Sequence, residues 1–558
     1  MKKRLSFSEF VTHRVTLAVE VVFAAFVPLL FYCCRTSGHI FIDIYSFNGA
    51  SQLIFWLMVA DAIGVAVLAF MRWRVGRFGE AELPKAYVVL SAVTFFVTAV
   101  FFIVDIVIIG IMGAESSPIV GRELAKLLPF ALGYYAAAFF ALFFPAVTAK
   151  KARVAVASVT IAVGVLGMLF AFYPPIHYEF LADPMVIDDG SGYSVVFATS
   201  APGTGFIEYE YEGKEYRLYD SSNGRIKGSS VIHSIRVPYE HLNGGTAYRV
   251  GSMRVFEEYG YGGRNGRTIF SDTYKFRPCT GEEQTYLCMS DWHIRNKRAL
   301  ETVGRIGEYD AVLYLGDGLP ELQREEEAAE YIVKFGGQLS GGVMPVIYLR
   351  GNHETRGAYA SELADALKIE EFYYELHMGE YRFIVLDSGE DKNDWHPEYG
   401  GLADYAAYRE EMADWLDGLD NDGSKTVVLS HSPSVGLNHG LYVDEPEDEL
   451  RDRIFSRLKE LGASVLLSGH VHECYLNLND GSGEMLGDWY IGGDKLPYEH
   501  DPSTNTAGLP VYVDGGYVHR RDTFVVSRVT LSPQGIELFA VTEDGDVAFE
   551  HTLPWVTA

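Results

Sequence analysis

The chain has 558 residues, 46 Lys and Arg against 74 Asp and Glu, and a formal net charge of −28. That length exceeds one domain and fits about three or four. The acidic surplus excludes an ordinary nucleic-acid binder, because most of the surface repels polyanions. The charge is uneven: residues 1–173 carry 14 basic and 9 acidic residues, which leaves 32 against 65 in 174–558.

Residues 1–173 hold five apolar stretches, near 15–34, 52–71, 87–112, 127–148 and 154–173. Each is long enough to cross about 30 Å of hydrocarbon as a helix. They predict a five-span helical membrane bundle, since a cleavable signal peptide accounts for the first stretch alone. Lys2, Lys3, Arg4 and Arg14, then Arg72, Arg74, Arg77 and Lys85, then Lys150, Lys151 and Arg153 fall on one side, against Arg35, Arg122 and Lys126 on the other. The bias puts the amino terminus in the cytoplasm and, with an odd number of spans, everything after Tyr173 outside. Glu20, Asp61 and Asp105 lie within spans that contain no basic partner. They read as acids hydrogen-bonded to a neighbouring helix, or for Glu20 near the headgroups, rather than as an ion path. The five cysteines form no disulfide framework. Cys33 and Cys34 sit at the outer end of the first span, and Cys279, Cys288 and Cys474 read as buried free thiols.

Pro174 and Pro175 end the last span. Between 174 and 279, YSVVFATS (193–200), GFIEYEY (205–211), SVIHSIRVP (230–238), AYRVGSMRVF (247–256) and TYKFRP (273–278) alternate apolar and polar residues between Gly, Asn and Ser turns. Short strands at that spacing predict a β-sandwich, with His233 an ordinary strand residue. From 280 to 558 apolar strands alternate with amphipathic helices, expected over 297–308, 321–336, 358–368, 405–418 and 447–461. Strands apolar throughout are covered on both faces, so this part reads as a layered α/β domain. The final strands are expected near 523–531 and 536–542.

Chemistry gathers at the ends of five of these strands. YLCMSDWH (286–293), AVLYLGDG (311–318), VIYLRGNHETRG (346–357), TVVLSHSP (426–433) and SVLLSGHVH (464–472) each end in Asp, His or both. Asp291 and His293 are two apart, as are His470 and His472, so extended backbone can point both members of a pair at one ion. Asp317 has two oxygens with which to bridge two ions, Asn352 offers an amide oxygen and His431 an imidazole. Gly316, Gly351 and Gly469 precede three of these residues, where a missing Cβ permits close backbone approach. Alone, a Gly-Asp is usually a turn and an Asp-x-His a surface strand end; five such termini in order describe a binuclear nitrogen and oxygen site suited to zinc, manganese or iron.

The series Asp-Trp-His, Gly-Asp-Gly, Gly-Asn-His-Glu, His431 and Gly-His-Val-His resembles the calcineurin-like metallophosphoesterase family. The stretches TSAPGTGFIEYEY, HSIRVP and YRVGSMRVF resemble the fibronectin-like amino-terminal domain of purple acid phosphatases. The resemblance implies a fibronectin III-like sandwich followed by an α/β/β/α phosphoesterase domain with two divalent metal ions. One metal would take Asp291, His293, Asp317 and His472, and the other Asp317, Asn352, His431 and His470. It further implies attack by a metal-bound hydroxide on a phosphate ester, with His353 protonating the leaving oxygen. Asn352 and Arg356 are candidate substrate contacts, although Arg356 suits a surface ion pair as well. His396, His439, Tyr498 and His500 lie in loops after the core strands and are candidates for the pocket wall, against the ordinary reading of solvent-facing positions. His519, Arg520 and Arg521 read either as an anion contact or as a solvated turn, and Asp387 as a residue that orients a neighbour.

Purple acid phosphatases use a tyrosine ligand three residues after the shared Asp, where this chain has Pro320, and glycine where it has His293. Two divalent ions are therefore expected in place of a tyrosinate-bound ferric ion. The expected substrate is a phosphate ester, with an envelope or lipid-linked phosphate suggested by the membrane spans; monoester and diester stay open. Two other classes compete. A receptor retaining the fold without turnover would have lost ligands, and none is missing; a transporter or sensor would use Glu20, Asp61 and Asp105 as its working groups.

Overall fold

Uninterrupted apolar sequence with no polar face makes helices that cannot hide every side in a small unit. Three such helices open the chain, Arg14–Thr36, Ile44–Val75 and Lys85–Glu115. This computed structural model describes residues 11–36, 44–75, 83–115, 178–259, 262–433, 445–478, 485–486 and 508–556. The chain divides into two compact units, Met1–His177 and Tyr178–Ala558. In the first, Phe23, Val27, Met58 and Phe102 pack together, and Tyr87 donates to the Leu68 carbonyl at 2.7 Å. Leu53, Trp56, Ile63, Val89 and Ile103 point outward and are exposed. Among the described residues two segments, Leu53–Arg74 and Lys85–Val104, are long and apolar enough to cross a membrane. Asp61 accepts from Thr98 Oγ1 at 2.6 Å across two helices, and Glu20 is buried. The stretches 127–148 and 154–173 lie outside the described residues.

The second unit is built on two sheets. The first runs, in spatial order, Val547–Leu553, Gly535–Thr542, Thr523–Ser532, Gln284–Met289, Ala311–Tyr314, Pro345–Tyr348, Met185–Asp188 and Tyr193–Tyr211, and then continues into Ala247–Tyr259 and Gly262–Phe270. The second contains Tyr374–Met378, Tyr381–Leu386, Lys425–Ser430, Ala463–Ser468, Val511–Val513, Tyr475–Asn477 and Met485–Leu486. Tyr286, Leu313, Ile347 and Leu349 from one sheet meet Phe383, Val385, Leu429 and Leu467 from the other. The outer face of the first sheet is covered by helical residues such as Ala299, Ala328, Ile332 and Phe335, and that of the second by Met412, Leu416, Ile454 and Leu458. The central strands Ala311–Tyr314, Pro345–Tyr348, Tyr381–Leu386 and Ala463–Ser468 are buried along their whole length, as strands covered on both faces are. The layers are α/β/β/α.

The expected helices lie at Asn296–Val303, Leu363–Leu367, Tyr405–Asp417 and Glu445–Glu460. The one expected over 321–336 begins at Glu325, widens to a π-helical stretch over Ala328–Val333 and ends at Ser340. The two strands expected over 193–211 form one strand, Tyr193–Tyr211. Its register shifts between Ala198 and Gly203 against Ser230–Val237, an irregularity that bends the strand. Val195, Phe197, Ile207, Tyr209, Tyr248 and Val250 share the core it encloses. The boundary expected at 279 is not a break in the sheet: Val186 and Ile187 pair in parallel with Pro345 and Val346.

Candidate metal centre

Parallel pairing brings the polar termini together. Gln284–Met289, Ala311–Tyr314 and Pro345–Tyr348 are mutually parallel, as are Lys425–Ser430 and Ala463–Ser468 in the other sheet. Their carboxyl ends carry Asp291 and His293, Asp317, Asn352 and His353, His431, and His470 and His472. Ligands commonly bind at such ends in α/β sheets. Three groups of donor atoms lie within 4.8 Å of one another: Asp291, His293 and His472; His293, Asp317 and His353; and Asp317, His431 and His470. Asp317 belongs to two groups, as does His293.

The backbone there is strained to make the turns. Asp291, His293, Asp317, His470 and His472 all have φ between 38° and 73°, the left-handed region that costs a side-chain-bearing residue about 1–3 kcal/mol. Two glycines let the backbone pass close to the carboxylates. A Cβ on Gly351 would lie 2.0 Å from Asp317 Oδ1, and one on Gly469 would lie 2.5 Å from Asp291 Oδ2.

Backbone carbonyls set the histidine tautomers. His431 Nδ1 lies 2.7 Å from the Leu315 oxygen, His353 Nδ1 lies 2.7 Å from that of Pro320, and His472 Nδ1 lies 2.8 Å from that of Tyr517. A carbonyl accepts only, so each Nδ1 carries a hydrogen and Nε2 is the atom each ring turns inward. Nε2 of His431 is 3.2 Å from Asp317 Oδ2, and that of His472 is 3.6 Å from Asp291 Oδ1 and 3.3 Å from His293 Nε2.

Two observations test whether this donor set fits cations. Asp291 Oδ1 is buried without a hydrogen-bond partner, a costly state unless something positive meets it. Asn352 Oδ1 faces Asp317 Oδ2, His431 Nε2 and His470 Nδ1 at 3.1–3.2 Å, acceptors all; turning the amide over would let its NH2 donate to them. A cation among these atoms would give the inward oxygen a partner, while the outward NH2 of Asn352 stays 3.0 Å from Arg356 Nη2. The residues fit two ions held by nitrogen and oxygen.

Burial alone would raise Asp317, but His431, His353 and His293 hold it well below the usual carboxylate range. Burial opposes charge on His431, and Asp317 nevertheless raises it to about 10. Burial lowers His470 to about 4 and, with His353 beside it, takes His293 well below its ordinary value. Both present neutral nitrogens at neutral pH.

Two acids that the sequence did not single out support the loops. Glu354 is fully buried and accepts from the backbone N–H groups of Asp317, Gly318 and Gly351 at 2.9, 2.7 and 2.8 Å. It ties the loop of the bridging candidate to the loop of Asn352, and burial beside Asp317 raises it to about 7. Asp514 accepts from Ser290 N and Oγ at 3.0 Å and from Ser527 Oγ at 2.5 Å, fixing the strand end before Asp291. The Glu in Gly-Asn-His-Glu was a visible signal for the first; nothing local marks the second.

Arg356 does not reach into the centre as an open phosphate clamp: it forks onto Glu390 at 2.8 Å twice and approaches Asp391 and Glu398 at 3.5 and 3.3 Å. The ion-pair alternative is the one present. His396 accepts from Glu398 N at 3.3 Å as the cap of the Pro397–Tyr399 turn on the same loop. His439, Tyr498 and His500 lie outside the described residues. His519 packs its ring 4.3 Å from that of His472. Asp387 accepts from Arg350 Nε at 2.7 Å and Tyr408 OH at 3.0 Å. Cys279, Cys288 and Cys474 are free and buried.

Layered α/β/β/α architecture with nitrogen and oxygen donors at the strand ends suits metal-dependent hydrolysis of phosphoesters. Residues 285–474 match the family model described as calcineurin-like phosphoesterase, and the protein is a metal-dependent phosphoesterase carrying that domain. No curated protein matches the chain. Among solved structures it is similar to a purple acid phosphatase from yellow lupin (Lupinus luteus) seeds, at 14% identity and a TM-score of 0.41 over 66% of this chain and 74% of that one. A conserved uncharacterised protein of Streptococcus pneumoniae, described as a predicted phosphoesterase, is similar at 15% identity and a TM-score of 0.22, over 48% of this chain and 98% of that one. A metallophosphoesterase from Sphaerobacter thermophilus gives 14% and 0.21, over 49% and 89%.

Proposed function

We propose that the protein is a membrane-anchored phosphoesterase whose second unit lies outside the cytoplasm and hydrolyses phosphate esters with two divalent transition-metal ions. The observation that carries the reading is the meeting of Asp291, His293 and His472 on one side of Asp317 with His431, His470 and Asn352 on the other. In this assignment Asp317 would be shared between the two ions, and the remaining residues would divide as those two sets. When bound, the cations supply an acidified water as nucleophile and offset charge on the phosphoryl oxygens.

The protein's own groups do the rest. Pro320 O holds the Nδ1 proton of His353, which leaves Nε2, on a side chain 26% exposed, to carry a second proton. The imidazolium so formed gives that proton to the departing oxygen and returns to the neutral Nδ1–H ring. Glu354 holds the Asp317 and Asn352 loops at fixed separation through three N–H bonds. Anchoring is supported by the two long apolar segments and their outward-facing side chains. The outward orientation is supported by the Lys and Arg bias of the loops. A fibronectin III-like character for 174–279 is supported by its strand-rich sequence and shared core, and such a layer would stand between the apolar segments and the phosphoesterase layers in chain order.

The test uses the full chain in detergent, stripped by chelation and reloaded with manganese, zinc or iron. Turnover of chromogenic mono- and diesters is measured beside Asp317→Asn. Metal-restored hydrolysis that the variant lacks is the expected result, and the two ester classes separate phosphatase from phosphodiesterase. Equal turnover by the variant would overturn the bridging role of Asp317.

A further inference from the structure

His470 is turned the opposite way from its neighbours. His353, His431 and His472 each place Nδ1 on a backbone carbonyl and present Nε2. His470 instead has Nδ1 3.1 Å from Asn352 Oδ1, within the group made with Asp317 and His431, while its Nε2 lies 3.9 Å from Asp391 Oδ2.

That carboxylate is itself held. Lys392 Nζ approaches its two oxygens at 2.7 and 2.8 Å, Tyr399 OH donates at 3.1 Å, and Arg356 Nη2 lies 3.5 Å away while forked onto Glu390. Asp391 is only 14% exposed in its side chain, so its charge faces His470 through little water. A fixed negative charge favours the imidazole tautomer whose N–H points toward it.

We infer that Asp391 is a positioning residue for the second cation: it keeps the hydrogen of His470 on Nε2 and so directs the Nδ1 lone pair at the atoms of Asp317, Asn352 and His431. This rests on the reading of those four residues as the holders of one ion. Asp391 does not touch the cation. It acts through His470, as the Leu315 carbonyl acts through His431. The loop from Glu390 to Tyr399 thereby becomes part of what sets metal affinity, and Arg356 serves it as an anchor rather than as a substrate contact.

The full chain in detergent, stripped of metal, is titrated calorimetrically with manganese(II) alone. Wild type should bind two ions. Asp391→Ala should weaken the site that Asn352→Leu also weakens by about 10- to 100-fold, the range for loss of an outer partner of a metal-bound histidine, and leave the other site within about twofold. Asp391→Asn, which keeps shape and an acceptor oxygen without the charge, should fall between. The spin-coupled signal of a manganese pair should disappear from Asp391→Ala at metal concentrations that still give it in wild type. Two ions bound with unchanged affinity in both Asp391 variants overturns the inference while sparing the two-cation reading. Equal weakening of both sites, or a lowered melting temperature of the chelated variant with second-site affinity intact, also overturns it, because either is the mark of a general packing role. Fewer than two ions in wild type overturns the two-cation reading itself.

Discussion

Replacing His353 by Asn separates proton delivery from metal binding. The Asn side chain can reproduce the donor that now meets the Pro320 carbonyl at 2.7 Å, so the local fold loses little, roughly the 1 kcal/mol of one hydrogen bond at most. What disappears is the titratable Nε2 3.8 Å from Asp317 Oδ2. A positioned general acid contributes about 10²- to 10⁴-fold, equivalent to about 3–5 kcal/mol of barrier. That loss should fall on esters whose alkoxide leaves badly. A nitrophenyl ester, whose leaving group needs no proton, should slow by less than about tenfold on the same reasoning. The assay is kcat/KM of the metal-reloaded full chain for a nitrophenyl and an alkyl phosphate, with metal content measured on each sample. Equal losses for both substrates would refute the proton-donor role. Because His353 also lies in a donor group with His293 and Asp317, a lost ion in the variant would make it a ligand instead.

Gly351→Ala should abolish metal retention and lower turnover at least about 100-fold, because the new Cβ would fall 2.0 Å from Asp317 Oδ1 and force the loop apart; metal analysis of the purified variant checks this. Asp514 is raised to about 7 by burial, so the stability it contributes is present below the ordinary carboxylate pKa and is lost as pH rises through 7, roughly 4 kcal/mol in all. Asp514→Asn, neutral throughout, should therefore melt higher than wild type at pH 8 in the chelated protein and equally at pH 4; parallel melting curves across that range would refute the assignment. In intact cells or sealed right-side-out vesicles, protease added outside should cleave 178–558 while an inverted preparation protects it, and the reverse result would overturn the proposed orientation.

The strand ends were legible because their signal is local: an apolar run of fixed length followed by Gly, Asp, Asn or His appears in one short window. The layers followed from the same windows, since runs such as VVLS and VLLS leave no face for water. What escaped depends on pairs distant in sequence. Asp514 meets Ser290 across 224 residues, and its neighbourhood resembles any strand end. Asp391 sits in a polar loop, and only the fold brings it to His470. Glu354 was visible as a letter of its motif, yet three backbone donors converging on one carboxylate cannot be read from spacing. The Lys214–Tyr219 and Gly262–Phe270 strands carry much charge or glycine, which weakened the alternation on which strand prediction rests. The join across 279 was hidden for a related reason, because parallel pairing of Met185–Asp188 leaves no turn signal between partners.

That join bears on how the protein can be dissected. With Val186 and Ile187 bonded alongside Pro345 and Val346, the catalytic layers are no cassette to be lifted out at residue 280. Truncation there would strip the flank of the strand leading to Asn352 and leave a raw, sticky margin inviting aggregation. The smallest excision that respects the hydrogen-bonded ladder begins upstream of Met185, and gene fusions or domain exchanges cut nearer the first metal-binding motif should yield insoluble material.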